Sequence, residues 1–349
     1  MRELLAGFPA SLATPHSPHP AMASTPQVRH YTVDAESAGQ RLDNFLLREL
    51  KGVPKTHVYR IIRSGEVRIN KGRAQADTRL QADDLIRVPP IRLSEKIEAK
   101  QENPAPAREF PVLFEDAAFM AINKPAGVAV HGGSGVSFGV IEQLRQARPG
   151  LPLLELVHRL DRETSGILLV AKKRSALKAL QDQFRERETA KTYLALVKGA
   201  WPANKKVIDQ PLHKYLLPDG ERRVRVTHAD DPDGMRSITL VKVLGQVRPP
   251  AGWTDGAPPL LSLLAVTIKT GRTHQIRVHL ASAGHPIAGD DKYGDFDLNR
   301  ALQRNGLKRM FLHAWQLGVT HPVLQSPLQL QADLPPELKG WGDVADFFV

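Results

Sequence analysis

Between Leu156 and Val170 the chain reads LVHRLDRETSGILLV, a short charged turn with strand-like apolar sequence on both sides. Apolar flanks this close together must both be buried, which fixes Arg159, Asp161 and Arg162 at the edge of a core. A turn held in this way needs a sheet around it, and the rest of the chain supplies one. AFMAIN, LLELVHRL, GILLVAKK, TYLALVKG, SITLVKVLG, LLSLLAVTIKTG, FLHAWQLGV and LQLQADL all read as strands. VIEQLRQAR and SALKALQDQF read as amphipathic helices, the second with Leu177, Leu180 and Phe184 on one side, and a third helix is expected after Gly271-Arg272. Short connections between successive strands predict an α+β fold, a mixed, largely antiparallel sheet running from residue 110 to 349. Polar stretches at 202–236 and 246–259 read as long surface loops.

Upstream the pattern changes. With 349 residues and roughly 150 per domain, two domains are expected. Residues 1–27 hold five prolines, which break any secretory hydrophobic segment; they read as a disordered tail in which Met22 is an alternative start. Residues 28–92 read as helix, turn, helix, hairpin: GQRLDNFLLRELK, then HVYRIIR capped by Thr56, then GEVRIN with a turn at Lys71-Gly72. This segment carries 13 Lys/Arg against 8 Asp/Glu, with Lys55, Arg60, Arg63, Arg68 and Lys71 crowded around the second helix and its turn. Such a cluster fits a solvated basic face or a surface for a polyanion. Residues 93–109, charged and proline-containing with few large apolar groups, read as a linker. The formal charge of the whole chain is +11, which makes nucleic acid the first partner to consider, and no apolar run is long enough for a membrane span. The absence of cysteine excludes disulfides, thiolate metal sites and a cysteine nucleophile.

Three segments carry candidate chemistry. Asp161, between two arginines, is either a base or nucleophile or one half of a turn salt bridge. Tyr193 shares one face of a strand with Ala195 and Val197, so it is either core or a buried phenol that stacks on a base. The segment TGRTHQIRVHLASAGHPIAGDDKYG, residues 270–294, is polar for a core element; Arg277 is suited to a carboxylate or phosphate, or is a surface arginine. His274 and His279 are five apart and so do not share one helix face as a zinc pair would. In the glycine-rich NKPAGVAVHGGSGVSFG, residues 123–139, neither a phosphate loop nor a dinucleotide fingerprint is present. GVSFG, residues 135–139, has the spacing of a hydrolase nucleophile elbow but not the strand that should precede it.

HRLDRETSG, KTYLALV and GRTHQIRVH, in that order, resemble the catalytic motifs of the RNA pseudouridine synthase family. The upstream segment, with RLDNFL, a basic second helix and GEVRIN-KG, resembles the alpha-L RNA-binding module. The resemblance implies a pseudouridine synthase catalytic domain at 110–349 preceded by an alpha-L domain at 28–92. The implied reaction is cofactor-free and metal-free isomerisation of uridine, with the base flipped out of the RNA. It implies Asp161 as the catalytic carboxylate, Tyr193 packing on the flipped base and assisting proton transfer, and Arg277 paired with Asp161. Arg159 would fill the vacated stack and Arg272 would contact phosphate, while Lys55, Arg60, Arg63, Arg68 and Lys71 would bind RNA. The implied partner is 23S ribosomal RNA or a large-subunit assembly intermediate, and the implied setting is a cytoplasmic monomer. A sister synthase with other target uridines, or a catalytically silent assembly factor, are the alternatives. Glu163 stands where relatives often have Asp, and is a possible second carboxylate.

Overall fold

The computed structural model describes residues 27–35, 37–50, 53–91, 105–132, 138–249, 253–254 and 256–342. All but the last residue of the tail expected at 1–27, most of the linker expected at 93–109 and the greater part of the GVSFG stretch lie outside the described residues. The chain divides into two compact units, Met1–Gln101 and Glu102–Val349.

The first unit holds strands β1 (Arg29–Thr32), β2 (Arg68–Ile69), β3 (Gly72–Arg73) and β4 (Leu85–Val88), with helices α1 (Leu42–Glu49) and α2 (Lys55–Arg63). The strands form an antiparallel sheet in the order β1-β4-β2-β3. Apolar residues recur at helical spacing, so α1 buries Leu42, Phe45 and Leu46 while α2 buries Val58, Ile61 and Ile62. They meet Val67, Leu80, Ile86 and Val88 in one core. Two local expectations shift by a residue or two. Helix α2 starts at Lys55 behind Pro54, whose fixed φ suits a helix entry, so Thr56 lies inside the first turn and is not its cap. The hairpin turns at Asn70 and Lys71, both at positive φ, and β3 begins at Gly72. Strands β1 and β4 were not anticipated: each has four residues, and β1 is largely exposed.

The second unit is built on a ten-stranded sheet. Its strands are β5 (Val112–Glu115), β6 (Phe119–Lys124), β7 (Glu155–Leu156), β8 (Ser165–Ala171), β9 (Ala190–Lys198), β10 (Val207–Asp209), β13 (Ile238–Val247), β14 (Leu261–Ile268), β15 (Leu312–Thr320) and β16 (Pro327–Gln331). The order is β10-β13-β14-β9-β15-β8-β6-β5, with β7 added on β8 and β16 on β15. Every pairing is antiparallel except β8 with β15. The continuous apolar run of β8 is explained by helices on both faces. Ile167 and Leu169 share a core with Ala176, Leu177 and Leu180 of α4 (Arg174–Glu186). Leu168 and Val170 share another with Val140, Ile141 and Leu144 of α3 (Val140–Ala147).

LLELVHRL forms only the two-residue β7, not a full strand. The His158 side chain ends it: Nε2 accepts the Leu169 N–H at 3.1 Å, the bond a longer strand would have made through its backbone. Residues 159–164 are thereby released from the sheet. The polar insertion at 202–236 also contains more than loop, since it holds β10 and a hairpin, β11 (Leu212–Leu216) with β12 (Arg222–Val226). Helices α5 (Gln275–Ser282), α6 (Phe296–Arg304) and α7 (Pro336–Lys339) complete the unit.

The parallel seam between β8 and β15 is the tightest point of the sheet. Gly166, at φ +109°, faces Ala314, whose carbonyl oxygen would collide with any Cβ placed there. Beside it a buried chain of hydrogen bonds crosses the seam. Arg309 Nη2 donates to Ser165 Oγ at 2.8 Å, Ser165 to His313 Nδ1 at 2.8 Å, and His313 Nε2 to the Ala332 carbonyl at 3.0 Å. This polarity requires neutral His313, and burial pushes its imidazole down to about 4.

Gly166→Ala is expected to lower unfolding free energy by about 2–4 kcal/mol. Gly127→Ala, at φ +80° with open space around it, should cost about 1 kcal/mol; urea denaturation at neutral pH measures both. A second expectation concerns pH. His313 and His158, both pushed by burial to about 4, bind protons more readily when unfolded, so stability is full above about 6.5 and falls towards about 4. Urea midpoints between pH 7 and pH 4.5 should decline, and His313→Gln should flatten the decline.

Candidate active site

Five sequence-predicted residues of the second unit, Arg159, Asp161, Tyr193, Arg272 and Arg277, line one pocket. Three elements bring them together. The released turn after β7 carries Arg159 and Asp161, strand β9 carries Tyr193, and the end of β14 with α5 carries Arg272 and Arg277. Leu160, Ile268, Ile276 and Leu312 add apolar walls, and Asp161 is the one carboxylate among the lining residues.

The Asp161 turn is pinned from beneath by Lys124, the last residue of β6 and fully buried. Its Nζ donates to the carbonyls of Pro125 (2.8 Å), Val128 (2.7 Å) and Arg162 (3.0 Å). These bonds tie the NKPAG turn to the Asp161 turn, and Gly127 N–H donates to Arg162 O as well. Burial lowers the Lys124 amine to about 7, with Glu163 and Asp161 opposing that shift.

The cations expected on either side of Asp161 are arranged otherwise than the sequence suggests. Arg162 points outward, where Glu163 accepts its Nε at 2.7 Å, and Arg159 is exposed. Glu163 is turned to Arg162 and lines an adjoining cleft that shares Arg159, Asp161, His274 and Arg277 with the pocket. The cation behind Asp161 comes from across the fold: Arg277 Nη1 lies 3.8 Å from Asp161 Oδ2, and His274 Nε2 lies 3.9 Å from the same oxygen. The stronger partner of Arg277 is Asp290. Nε and Nη2 donate to its two carboxylate oxygens at 2.7 and 2.6 Å, and Nη2 also reaches Asp291 at 3.2 Å. Arg277 and Asp290 are 3% and 0% exposed, so the pair is removed from solvent screening.

Polarity did not keep α5 out of the core. Gln275 through Leu280 are all buried, and each polar side chain among them has partners. Gln275 Oε1 accepts from Thr270 and from the Arg272 N–H, while its amide donates to Ile238 O and Thr239. His279 bonds Thr239 Oγ1 and the Gln210 carbonyl. His274 precedes the helix in a left-handed conformation, φ 52°, and bonds Tyr293 Oη. His285 bonds Lys198 O, and His313 belongs to the seam, so the four histidines are committed to separate places.

Tyr193 lies within the pocket with its phenol held above its ordinary range, first by burial and then by the charge of Asp161. Asp290, Tyr293 and Lys124 were not singled out from sequence. GDDKYG and NKPAG were visible, but a carboxylate thirteen residues after an arginine gives no periodic signal that the two will meet.

In the first unit Lys55, Arg60 and Arg63 lie on α2, Arg68 on β2 and Lys71 in the hairpin turn; all but the half-buried Arg68 are exposed. Among the described residues no helix is long and apolar enough to cross a membrane.

Residues 118–282 match the RNA pseudouridylate synthase family and residues 40–86 the S4 domain. A Pasteurella multocida protein named ribosomal large subunit pseudouridine synthase C is 49% identical over 315 residues, covering 89% of this chain and 92% of that relative. The Escherichia coli protein of the same name is 47% identical over 320 residues, covering 90% and 96%. The solved structure of human RNA pseudouridylate synthase domain containing 1 superposes with a TM-score of 0.54 at 25% identity, covering 69% of this chain and 91% of that one. Similarity this extensive, on a sheet that gathers the three motif segments around one carboxylate, leaves one assignment: the chain belongs to the RNA pseudouridylate synthase family and carries an S4 domain.

Proposed function

We propose that this protein isomerises uridine to pseudouridine in large-subunit, 23S ribosomal RNA, working as a cytoplasmic monomer with Asp161 as its catalytic carboxylate. The observation that carries this reading is the pocket itself, which offers one carboxylate against apolar walls, a protonated phenol and a buried arginine. The relatives named for large-subunit rRNA supply the substrate class.

The reaction breaks the N1–C1′ bond, forms C5–C1′, releases the C5 hydrogen and returns a proton to N1. No water is consumed, so the second carboxylate that a glycosidase uses to activate water has no task here. Asp161 acts as nucleophile, or as the base that removes a ribose proton, while Arg277 Nη1 stabilises its charge. Tyr193 presents a flat face to the base, and its raised phenol keeps a proton available. The target base must leave its stack at a cost of a few kcal/mol. Exposed Arg159, at the pocket rim, is placed to occupy the space the base vacates, and Arg272 to contact phosphate. In the S4 unit, Lys55, Arg60, Arg63, Arg68 and Lys71 bind RNA backbone and shape.

Carbodiimide labelling followed by primer extension on unmodified large-subunit rRNA tests the assignment. Wild type should create stops at discrete uridines, whereas Asp161→Asn should reduce them at least about 10³-fold while binding the same RNA. Stops from Asp161→Asn equal to those of wild type would refute the role of this carboxylate, and no stops from either would refute the substrate. Neutralising Lys55, Arg60, Arg63 and Lys71 together should weaken RNA binding and lower its dependence on log salt by about 0.7–0.9 per lost phosphate contact. An unchanged affinity and slope would remove these residues from the interface.

A further inference from the structure

The hydroxyl of Tyr293 joins two groups that the proposed reaction does not otherwise connect. Its oxygen accepts the backbone N–H of Val224, on β12, at 3.1 Å. It also lies 2.8 Å from Nδ1 of His274, whose Nε2 faces Asp161 Oδ2 at 3.9 Å. The N–H of Val224 can only donate, so the hydroxyl is an acceptor there. Among the described residues Nδ1 is the one acceptor bonded to the hydroxyl, so the phenolic proton goes to Nδ1 and the imidazole carries its own proton on Nε2. The reverse tautomer would leave the phenol proton without that acceptor and would turn an Nε2 lone pair towards the carboxylate oxygen. Both effects select the same state.

We propose that His274 is a positioning residue for Asp161, held by Tyr293 as the tautomer that aims an Nε2–H at the catalytic carboxylate. The inference rests on the synthase reading and adds a residue to it. At 3.9 Å the N–H is too far for a direct hydrogen bond, so it acts as an oriented dipole across the gap, complementing Arg277 on the same oxygen. The arrangement is held on every side. Val224 packs with Leu212 of the hairpin and Val278 of α5 against Tyr293, and the Tyr293 N–H donates to Asp290 Oδ1 at 3.0 Å. The left-handed backbone of His274, φ 52°, turns the ring out of the path of α5 and into the pocket. An intact hairpin insertion is therefore needed to set the tautomer.

Two substitutions separate the ends of the imidazole. Glutamine at 274 places an amide N–H near the position of Nε2 but loses the bond to Tyr293. Asparagine reaches only the position of Nδ1, and it tolerates the left-handed backbone, so strain does not explain a loss. His274→Gln should keep single-turnover isomerisation within about tenfold of wild type, while His274→Asn should lose about 100-fold with RNA affinity unchanged. In the full-length protein labelled with ¹⁵N-histidine, long-range proton–nitrogen correlation should show the His274 proton on Nε2 in wild type and a tautomer mixture in Tyr293→Phe. A proton on Nδ1, or equal rates for the Gln and Asn variants, would overturn the proposal. The tautomer measurement needs no turnover, so it decides this proposal even if wild type fails to isomerise rRNA, which would instead overturn the synthase reading. It also needs no substitution to fold.

Discussion

The buried pair between Arg277 and Asp290 is the interaction on which the site depends. Two nitrogens of the guanidinium are taken by the two oxygens of Asp290, which leaves Nη1 directed at Asp161. The same carboxylate accepts the N–H groups of Lys292 and Tyr293 and so folds the segment that follows it. Desolvating both charges is costly, and a well-packed apolar pair would serve stability as well or better. What the pair adds is direction: a guanidinium fixed at two corners has one orientation for its third. Removing one partner would leave a buried charge, at a cost of about 3–5 kcal/mol.

Around that pair the second unit works as a frame that brings distant segments to one point. Strand β8 is buried on both faces and paired along both edges, and the parallel seam with β15 is closed by a glycine and a hydrogen-bonded histidine. The Asp161 turn leaves this rigid strand and is fastened again by Lys124. The backbone of the turn and the guanidinium of Arg277 are thus both fastened, which suits a reaction in which no group enters or leaves except one proton for another. Exposed basic groups lie outside this frame: Arg159 stands at the rim and the S4 unit carries basic side chains in solvent.

Much of this was legible in the sequence because it rests on period and order. Continuous or alternating apolar stretches mark β6, β8, β9 and β13 to β16, and helical spacing marks α1, α2, α3 and α4. Motif order brought Asp161, Tyr193 and Arg277 into one hypothesis, and the pocket places all three on its wall. The misreadings have local causes. LLELVHRL looked like a strand because His158 is apolar enough to continue the pattern, yet its ring nitrogen replaces the ladder. The 202–236 stretch looked like a loop because β11 and β12 pack against α5 and Tyr293 and not against the main sheet. Asp290 escaped notice because pairing between residues far apart in sequence leaves no periodic trace, and the arginines next to Asp161 drew the electrostatic argument to themselves.

The most direct test of the account is the rate of tritium release from large-subunit rRNA labelled at uridine C5, since forming C5–C1′ must expel that hydrogen. Under single-turnover conditions, and below the lowered unfolding midpoint that the stranded guanidinium causes, Asp290→Asn should slow release by about 100-fold while RNA affinity is kept, because Nη1 of Arg277 loses its aim. Wild-type release with Asn at 290 would contradict the claim that this buried pair orients the catalytic carboxylate's partner.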